Sequence, residues 1–317
     1  MRRSLLAAAV VFLAVSSAWA AASPAPAAAK KPPRILPGEV VELKTQDGWT
    51  LSATYQESRE DDRLTFVLLH EGRGRRDNWY WFGRALAKRG IGYIAPDLRG
   101  HGLSTIAPEG TANEWRQFKP DKHNNEYDNM RQDIAACVEF LKDKLVPEES
   151  IAVAGAHVGG SVALKYAALH PAVPMVILLS PGMSYNEVLT PNAMRAYRER
   201  PILFVVGDDD RKSSTESRIL FSFAKISAGE ENAALIRAAR GHGTRLFYYN
   251  KGLIPKILDW IDSPTALLEP TASTDTVENP LSGEAGVTTV PEPRRKGGLP
   301  SDDDIDQILD GTTAPPE

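Results

Sequence analysis

Five short stretches of the chain carry histidines and acids, and each follows a short apolar run. Imidazoles and carboxylates transfer protons and activate nucleophiles near neutral pH. If the apolar runs are parallel strands, these side chains gather at the carboxyl ends of the strands, where such sheets bind their ligands. The five stretches are His70-Glu71-Gly72-Arg73-Gly74, Pro96-Asp97-Leu98-Arg99-Gly100-His101-Gly102-Leu103-Ser104, Gly155-Ala156-His157-Val158-Gly159-Gly160, Gly207-Asp208-Asp209-Asp210 and Gly241-His242-Gly243.

The elements that position these stretches alternate between strand and helix. After an opening hairpin around Gln46-Asp47-Gly48, short apolar runs of the buried-strand type alternate with helical patterns. This order predicts one α/β domain over residues 35–262, with a mostly parallel sheet and helices on both faces. The predicted strands are 64–69, 91–95, 151–154, 175–179, 202–206 and 234–238, and the predicted helices are 79–88, 127–144, 161–169, 215–227 and 246–261.

The ends of the chain have a different composition from this body. Residues 1–20 combine two arginines, an apolar run and Ala18-Trp19-Ala20, which predicts a secretory signal peptide and export to a periplasm or the medium. An uncleaved membrane anchor is the alternative, although the apolar run is short for a span. Residues 21–34 form an Ala/Pro-rich tether. Residues 263–317 form an acidic tail predicted to be disordered.

One part of the tail, residues 301–310, has apolar residues at helical spacing behind a serine N-cap. It is a candidate site for a protein partner, and a solvated acidic tail is the simpler interpretation.

Composition excludes several classes of protein. With 42% hydrophobic and 25% charged residues, most of the chain should fold. Cys137 is the single cysteine, so there is no intrachain disulfide framework and no zinc site built from several thiolates. The tail carries eleven acids and three bases, a charge of −8, whereas residues 21–262 carry +2 and residues 1–20 carry +2, which gives the net charge of −4. The nearly neutral body lacks the basic stripe of a nucleic-acid-binding protein, and no cofactor is indicated.

Over the whole body these stretches resemble the α/β-hydrolase superfamily of esterases, lipases and S33-type peptidases. The stretch Pro96-Asp97-Leu98-Arg99-Gly100-His101-Gly102-Leu103-Ser104 is especially typical of that family. The resemblance implies an α/β-hydrolase fold. Only about twenty residues separate Ser180 from Pro201, so we expect no large lid domain.

The resemblance also implies a catalytic order of nucleophile, acid and base. It places the acid at Asp210, with Asp208 and Asp209 as poorer candidates, and the base at His242. The nucleophile position is His157, where the family has serine in a G-x-S-x-G turn. The glycines of the turn are kept at Gly155, Gly159 and Gly160. Sliding the motif by one residue recovers no serine, since Ser161 falls inside the following helix.

Two backbone amides complete the implied site. The resemblance places the oxyanion hole at Val158 and at Gly72 or its neighbour. Glu71 occupies a position where many family members have glycine. A glutamate at this position is similar to the one in dienelactone-hydrolase-like members. The simpler interpretation is that Glu71 pairs with Arg73, Arg75 or Arg99. For His101 we expect a structural role.

Three hypotheses explain the histidine at position 157. The first is a degenerate hydrolase, a pseudoenzyme that keeps a binding pocket for a small-molecule or peptide ligand. The second is an active ester or amide hydrolase that uses His157 as nucleophile or His242 as a general base on water. The third is a metal site formed by His157, His242 and Glu71, although the spacing is no local metal motif. A protein that acts mainly through its acidic tail is a further alternative.

Overall fold

An eight-stranded sheet forms the centre of the domain in the computed structural model, which describes residues 34–59, 63–121 and 124–264. The predicted signal peptide, most of the tether and the partner segment 301–310 lie outside these residues. Two further strands pair as a separate hairpin. The strands are β1 (Glu39–Lys44), β2 (Thr50–Gln56), β3 (Thr65–Leu69), β4 (Gly92–Pro96), β5 (Ile151–Ala156), β6 (Val176–Leu179), β7 (Ser184–Tyr185), β8 (Val188–Leu189), β9 (Ile202–Gly207) and β10 (Ala233–Ala238).

The sheet is mostly parallel, in the order β1-β2-β4-β3-β5-β6-β9-β10. Only β2 runs antiparallel to its neighbours β1 and β4, and every pair from β4 to β10 is parallel. The parallel strands therefore end at the same edge of the sheet. The predicted α/β fold with a mostly parallel sheet is confirmed.

Eight α-helices surround this sheet in the described residues. The sequence predicts one helix over 127–144 and one over 246–261, and each of these segments forms two helices in the structure. The breaks lie at Met130 and at residues 250–252. At the second break the Asn250 side chain donates hydrogen bonds to the carbonyls of Leu246 and Arg240, which ends the helix. The helices are α1 (Tyr80–Lys88), α2 (Glu126–Asn129), α3 (Arg131–Asp143), α4 (Val158–Leu169), α5 (Pro191–Ala196), α6 (Arg211–Ser227), α7 (Leu246–Tyr249) and α8 (Leu253–Asp262).

The core has one layer on each face of the sheet. Along β3, Phe66 and Leu68 pack into the layer beneath α1 and α8, while Val67 and Leu69 pack into the layer with α3 and α4. All five residues of this strand are buried. Burial on both faces explains why the central strands appear in the sequence as unbroken apolar runs.

The connection after β6 is short but structured. It contains the β7–β8 hairpin and the six-residue helix α5, elements that the sequence patterns did not predict. Asn186 and Glu187 take positive φ angles of 51° and 60° at the tip of the hairpin, as in a two-residue turn of type I′. This segment covers the carboxyl end of the sheet in place of a large lid. No helix in the described ranges is long and apolar enough to cross a membrane.

Arg99 links the turn after β4 to three other parts of the domain. Its side chain is fully buried and pairs with Asp133 at 2.8 Å, with Asp47 at 2.6 Å and with Glu126 at 2.9 Å. Burial raises the pKa of Asp133 to about 6, although the Arg99 guanidinium opposes this shift. The opening hairpin, α2 and α3 thus meet at one cation.

Replacing Arg99 by leucine should lower the free energy of unfolding by about 3–5 kcal/mol, because it leaves the Asp133 carboxylate buried and unpaired. Urea denaturation measures the change. Arg89 provides the control, since it pairs with Asp259 and Asp262 while 39% exposed, and Arg89→Leu should cost less than about 1 kcal/mol. Equal losses in the two variants would contradict a central role for Arg99.

Candidate functional site

His157 occupies a sharp turn between β5 and α4. Its backbone angles are φ 53° and ψ −120°, a region that non-glycine residues rarely adopt. The turn requires close backbone contacts. A Cβ atom added at Gly155 would lie 2.3 Å from the Gly159 carbonyl oxygen, and one added at Gly159 would lie 2.5 Å from the His70 carbonyl oxygen. These glycines allow the helix to approach the sheet and hold residue 157 at the sheet edge.

Asp210 and His242 form a hydrogen-bonded pair beside this turn. The Asp210 Oδ2 atom lies 2.5 Å from His242 Nδ1, and the Asp210 Oδ1 atom accepts a bond of 3.2 Å from the Ser213 amide. Burial raises the pKa of Asp210, but the hydrogen bonds from His242 and Ser213 outweigh it and leave that pKa below its usual value. An ionised Asp210 holds His242 with its Nε2 atom free for a ligand.

The two neighbouring acids have other partners. Asp208 pairs with Arg237 at 2.8 Å, and Asp209 accepts a hydrogen bond of 2.8 Å from the Gly241 amide. Both contacts join the ends of β9 and β10, so they bring Asp210 and His242 together. Of the three candidate acids, Asp210 is the one that contacts His242.

The rings of His157, His242 and Tyr185 lie against one another. The ring centroids of His157 and His242 are 5.0 Å apart, and Tyr185 lies on His157 with a centroid separation of 3.6 Å. Burial, with the nearby His242 and Lys212, lowers the pKa of His157 to about 3. The His157 ring is therefore neutral at pH 7, and one of its faces is covered.

Gly72 and Val158 lie next to each other at the turn. A Cβ atom added at Gly72 would be 3.2 Å from Val158 Cγ1 and 3.9 Å from His157 Nδ1. No described residue accepts a hydrogen bond from either amide. The Gly72 carbonyl is held by His101 Nε2 at 2.7 Å. Neither amide therefore has an acceptor among the described residues, and their assignment to an oxyanion hole stays a prediction.

Glu71 does not pair with Arg75 or Arg99, so that part of the expectation is wrong. Its Oε1 atom accepts hydrogen bonds from Asn78 at 3.0 Å and Thr244 at 2.8 Å, and it thereby ties the turn after β3 to the loop of His242. Arg99 pairs instead with the carboxylates of Asp47, Glu126 and Asp133.

The metal hypothesis also lacks support from the geometry. Among the described residues, no group of three or more His, Cys, Asp or Glu side chains is arranged to hold a metal ion. Glu71 faces Thr244 and Asn78, so the three-ligand set of His157, His242 and Glu71 does not form.

The other two strand-end histidines are structural. His70 Nδ1 lies 2.7 Å from its neighbour's carbonyl, and its Nε2 accepts from the Leu98 amide at 2.9 Å. His101 lies between the carbonyls of Arg99 and Gly72. Burial lowers the pKa of both histidines. They join the turns after β3 and β4 and fix the position of Gly72.

Tyr185 is the site residue that the sequence analysis missed. Its hydroxyl lies 2.8 Å from the Ser213 hydroxyl, and Lys212 Nζ lies 4.2 Å from its ring centroid. No motif marks it, because it reaches His157 only through the β7–β8 hairpin. A signal was available in principle, since the connection after β6 must pass over the sheet edge and Tyr185 is its aromatic residue nearest that strand.

Residues 65–201 match the sequence model of the α/β hydrolase fold family. Among solved structures, an esterase of Pyrococcus furiosus is similar with a TM-score of 0.56 and 19% identity, over 74% of this chain and 97% of that one. A protein of Klebsiella pneumoniae described as a dienelactone hydrolase is similar with a TM-score of 0.54 and 15% identity, over 71% and 100%. No curated protein sequence matches significantly.

These similarities and the sheet topology show that the domain has the α/β-hydrolase fold. The family match over residues 65–201 covers less than half of the chain. At identities below 20%, the similarity to solved structures is evidence for the fold alone. The chemistry of the site has to be argued from the residues of this chain.

His157 should stay neutral when the pH is lowered from 8 to 4, because the folded protein holds its pKa near 3. Since the ring in the unfolded chain takes up a proton near pH 6.5, the stability this site contributes should be lost as the pH falls from about 6.5 to 3. NMR of ¹⁵N-labelled histidine, assigned by comparison with His157→Gln, measures the titration. A midpoint near 6.5 for His157 would contradict the geometry.

Replacing Tyr185 by alanine should expose the His157 ring. The reaction of His157 with diethyl pyrocarbonate should then be several-fold faster, because neutral imidazole is the form that reacts with this reagent. Mass spectrometry of the peptide containing His157 follows the reaction. Tyr185→Phe keeps the ring and should behave like the wild type. If Tyr185→Ala reacted no faster than the wild type, the ring would not be covering His157.

Proposed function

We propose that the protein is a degenerate member of the α/β-hydrolase superfamily, which binds a small carbonyl- or carboxylate-containing ligand but forms no serine-type acyl-enzyme. The observation that carries the proposal is the imidazole of His157 in the strained turn where attack on a carbonyl would begin. The Asp210–His242 pair and the two free amides support retention of a ligand site around that turn.

The chemistry of His157 explains the loss of ordinary turnover. In a serine hydrolase the base removes a proton from the hydroxyl as it attacks, and the residue at this turn must therefore be an alcohol or thiol. His157 offers neither group. A ring with a pKa of about 3 is also a weakly basic nucleophile, and Tyr185 covers one of its faces.

The features that remain favour binding of an oxygen atom with partial or full negative charge. The amides of Gly72 and Val158 have no partner among the described residues, and Val158 is the first residue of α4, whose N-terminus carries a partial positive charge. The His242 ring lies 5.0 Å from that of His157, and its Nε2 atom, which has no partner among the described residues, can donate or accept a hydrogen bond. A carbonyl or carboxylate fits these three contacts.

The rival function is hydrolysis of an ester or amide without serine. The specific observation in its favour is the 2.5 Å contact of Asp210 with His242, whose side chain is 42% exposed. Such a histidine could activate a water molecule above the oxyanion amides as a general base. Attack by His157 on the carbonyl carbon would break the ester or amide bond, release the alcohol or amine and give an acyl-imidazole, which water would hydrolyse to the acid and free His157.

Two further proposals rest on the sequence alone. The basic, apolar and small-residue pattern of residues 1–20 supports export to a periplasm or the medium. A role for the acidic tail in protein binding would be favoured if deletion of residues 263–317 removed the protein's effect in cells while substitutions at His157 and His242 did not.

Turnover of short p-nitrophenyl esters by the purified protein tests the proposed function. We expect wild type, His157→Ala and His242→Ala to be equally inactive. His157→Ser should hydrolyse these esters at least about ten-fold faster than the wild type, because His242 would then act as the base and the Gly72 and Val158 amides would stabilise the oxyanion. This variant should also be labelled by a fluorophosphonate probe that leaves the wild type unlabelled.

Activity in the wild type that both alanine variants lose would overturn the proposal in favour of the rival hydrolase. Loss of that activity with a chelator, and its recovery with zinc, would identify a metal-dependent reaction instead. As a separate test of binding, short carboxylates should shift the NMR signals of His157 and His242 in the wild type.

A further inference from the structure

Arg34 lies between two exposed aromatic rings on the face formed by α1 and α7. Its guanidinium carbon is 4.8 Å from the ring centroid of Trp81 and 6.0 Å from that of Tyr248. The two rings are 38% and 48% exposed, and the adjacent Ile35 is 66% exposed. Contiguous exposed patches of large side chains mark interaction surfaces in many proteins.

The same pattern continues at the α1 end. Tyr80 packs against Trp81 with a centroid separation of 5.1 Å. Arg84 then lies over Tyr80 at 5.4 Å and donates a hydrogen bond of 2.8 Å to its hydroxyl.

At the α7 end, Tyr249 packs against Tyr248 with a centroid separation of 5.0 Å, and Arg240 lies over Tyr249 at 4.4 Å. Three arginines and four rings therefore form one continuous strip of contacts, from Arg84 to Arg240. We call it the aromatic–arginine strip.

The strip carries a charge of +3 that the described residues do not neutralise. Arg34, Arg84 and Arg240 are all exposed, and none of them forms an ion pair with a described carboxylate. This differs from the nearby Arg89, which pairs with Asp259 and Asp262. In the sequence, Lys30 and Lys31 add two positive charges just before Arg34.

We propose that the aromatic–arginine strip docks the protein on the surface of a membrane that contains anionic phospholipids. Guanidinium groups bind phosphate oxygens in a two-point geometry. Tyrosine and tryptophan rings prefer the headgroup region, where their polar atoms stay wet and their carbons are buried. The strip offers both groups side by side, and the binding through it is peripheral.

The arrangement fits a phospholipid surface better than a nucleic acid. A nucleic-acid-binding face needs a wide basic field, whereas the domain as a whole is nearly neutral and its positive charge is local. The rings of the strip pack in two pairs with an arginine between the pairs, and this spacing leaves little continuous apolar area for the centre of a protein interface.

Co-sedimentation of the full chain with lipid vesicles tests the proposal. The protein should bind vesicles of phosphatidylglycerol and phosphatidylcholine in a 3:7 ratio, and it should bind pure phosphatidylcholine much more weakly. The triple variant Arg34→Gln, Arg84→Gln, Arg240→Gln should lower the partition coefficient about 100-fold, since each charge contributes roughly five-fold. Trp81→Ala with Tyr248→Ala should weaken binding, while Trp81→Phe with Tyr248→Phe should retain most of it.

A charge-matched variant provides the control. Arg195, Arg198 and Arg218 are exposed on or beside α5 and α6, and changing all three to glutamine alters the net charge by the same amount. This variant should bind like the wild type. Equal losses in the two triple variants, or equal wild-type binding to both kinds of vesicle, would overturn the proposal. Thermal melting of each variant verifies that it is folded.

Discussion

The turn from β5 into α4 constrains every other part of the site. Its backbone passes so close to the neighbouring strand that no side chain fits at Gly155 or Gly159, and residue 157 takes a positive φ angle. Such a conformation costs of order 1–3 kcal/mol, which the packed core around it must offset. The turn places residue 157 at the sheet edge, frees the Val158 amide and sets the position at which His242 and Gly72 meet it.

Around this turn, three sets of contacts hold the loops in place, and the residue at the turn carries an imidazole. Asp210 orients His242, His101 holds the Gly72 carbonyl, and Glu71 ties two loops together through Asn78 and Thr244. These contacts would serve a hydrolase, but the neutral ring of His157 lies under Tyr185. Under the proposed function, the site keeps the base and the two amides without a serine nucleophile, and it is therefore suited to holding a polar ligand.

Stability and docking involve parts of the domain that the site does not use. Buried Arg99 joins the opening hairpin to α2 and α3, because three carboxylates converge on one cation. On another face, the aromatic–arginine strip contains three guanidinium groups that pair with no carboxylate in the described part of the chain. The same residue type therefore acts as a structural centre where it is buried and paired, and as a candidate contact surface where it is exposed and unpaired.

The fold class, the six neighbouring parallel strands and the strand-end positions of His157, Asp210 and His242 could be predicted from the amino-acid sequence, because buried parallel strands are continuous apolar runs and the residues that follow them meet at one edge. Tertiary structure decided which of three adjacent acids contacts His242, where Glu71 and Arg99 find partners, and that Tyr185 covers His157. Each of these depends on distances between residues far apart in the chain, such as the 2.5 Å between Asp210 and His242, and local propensity carries no information about such distances.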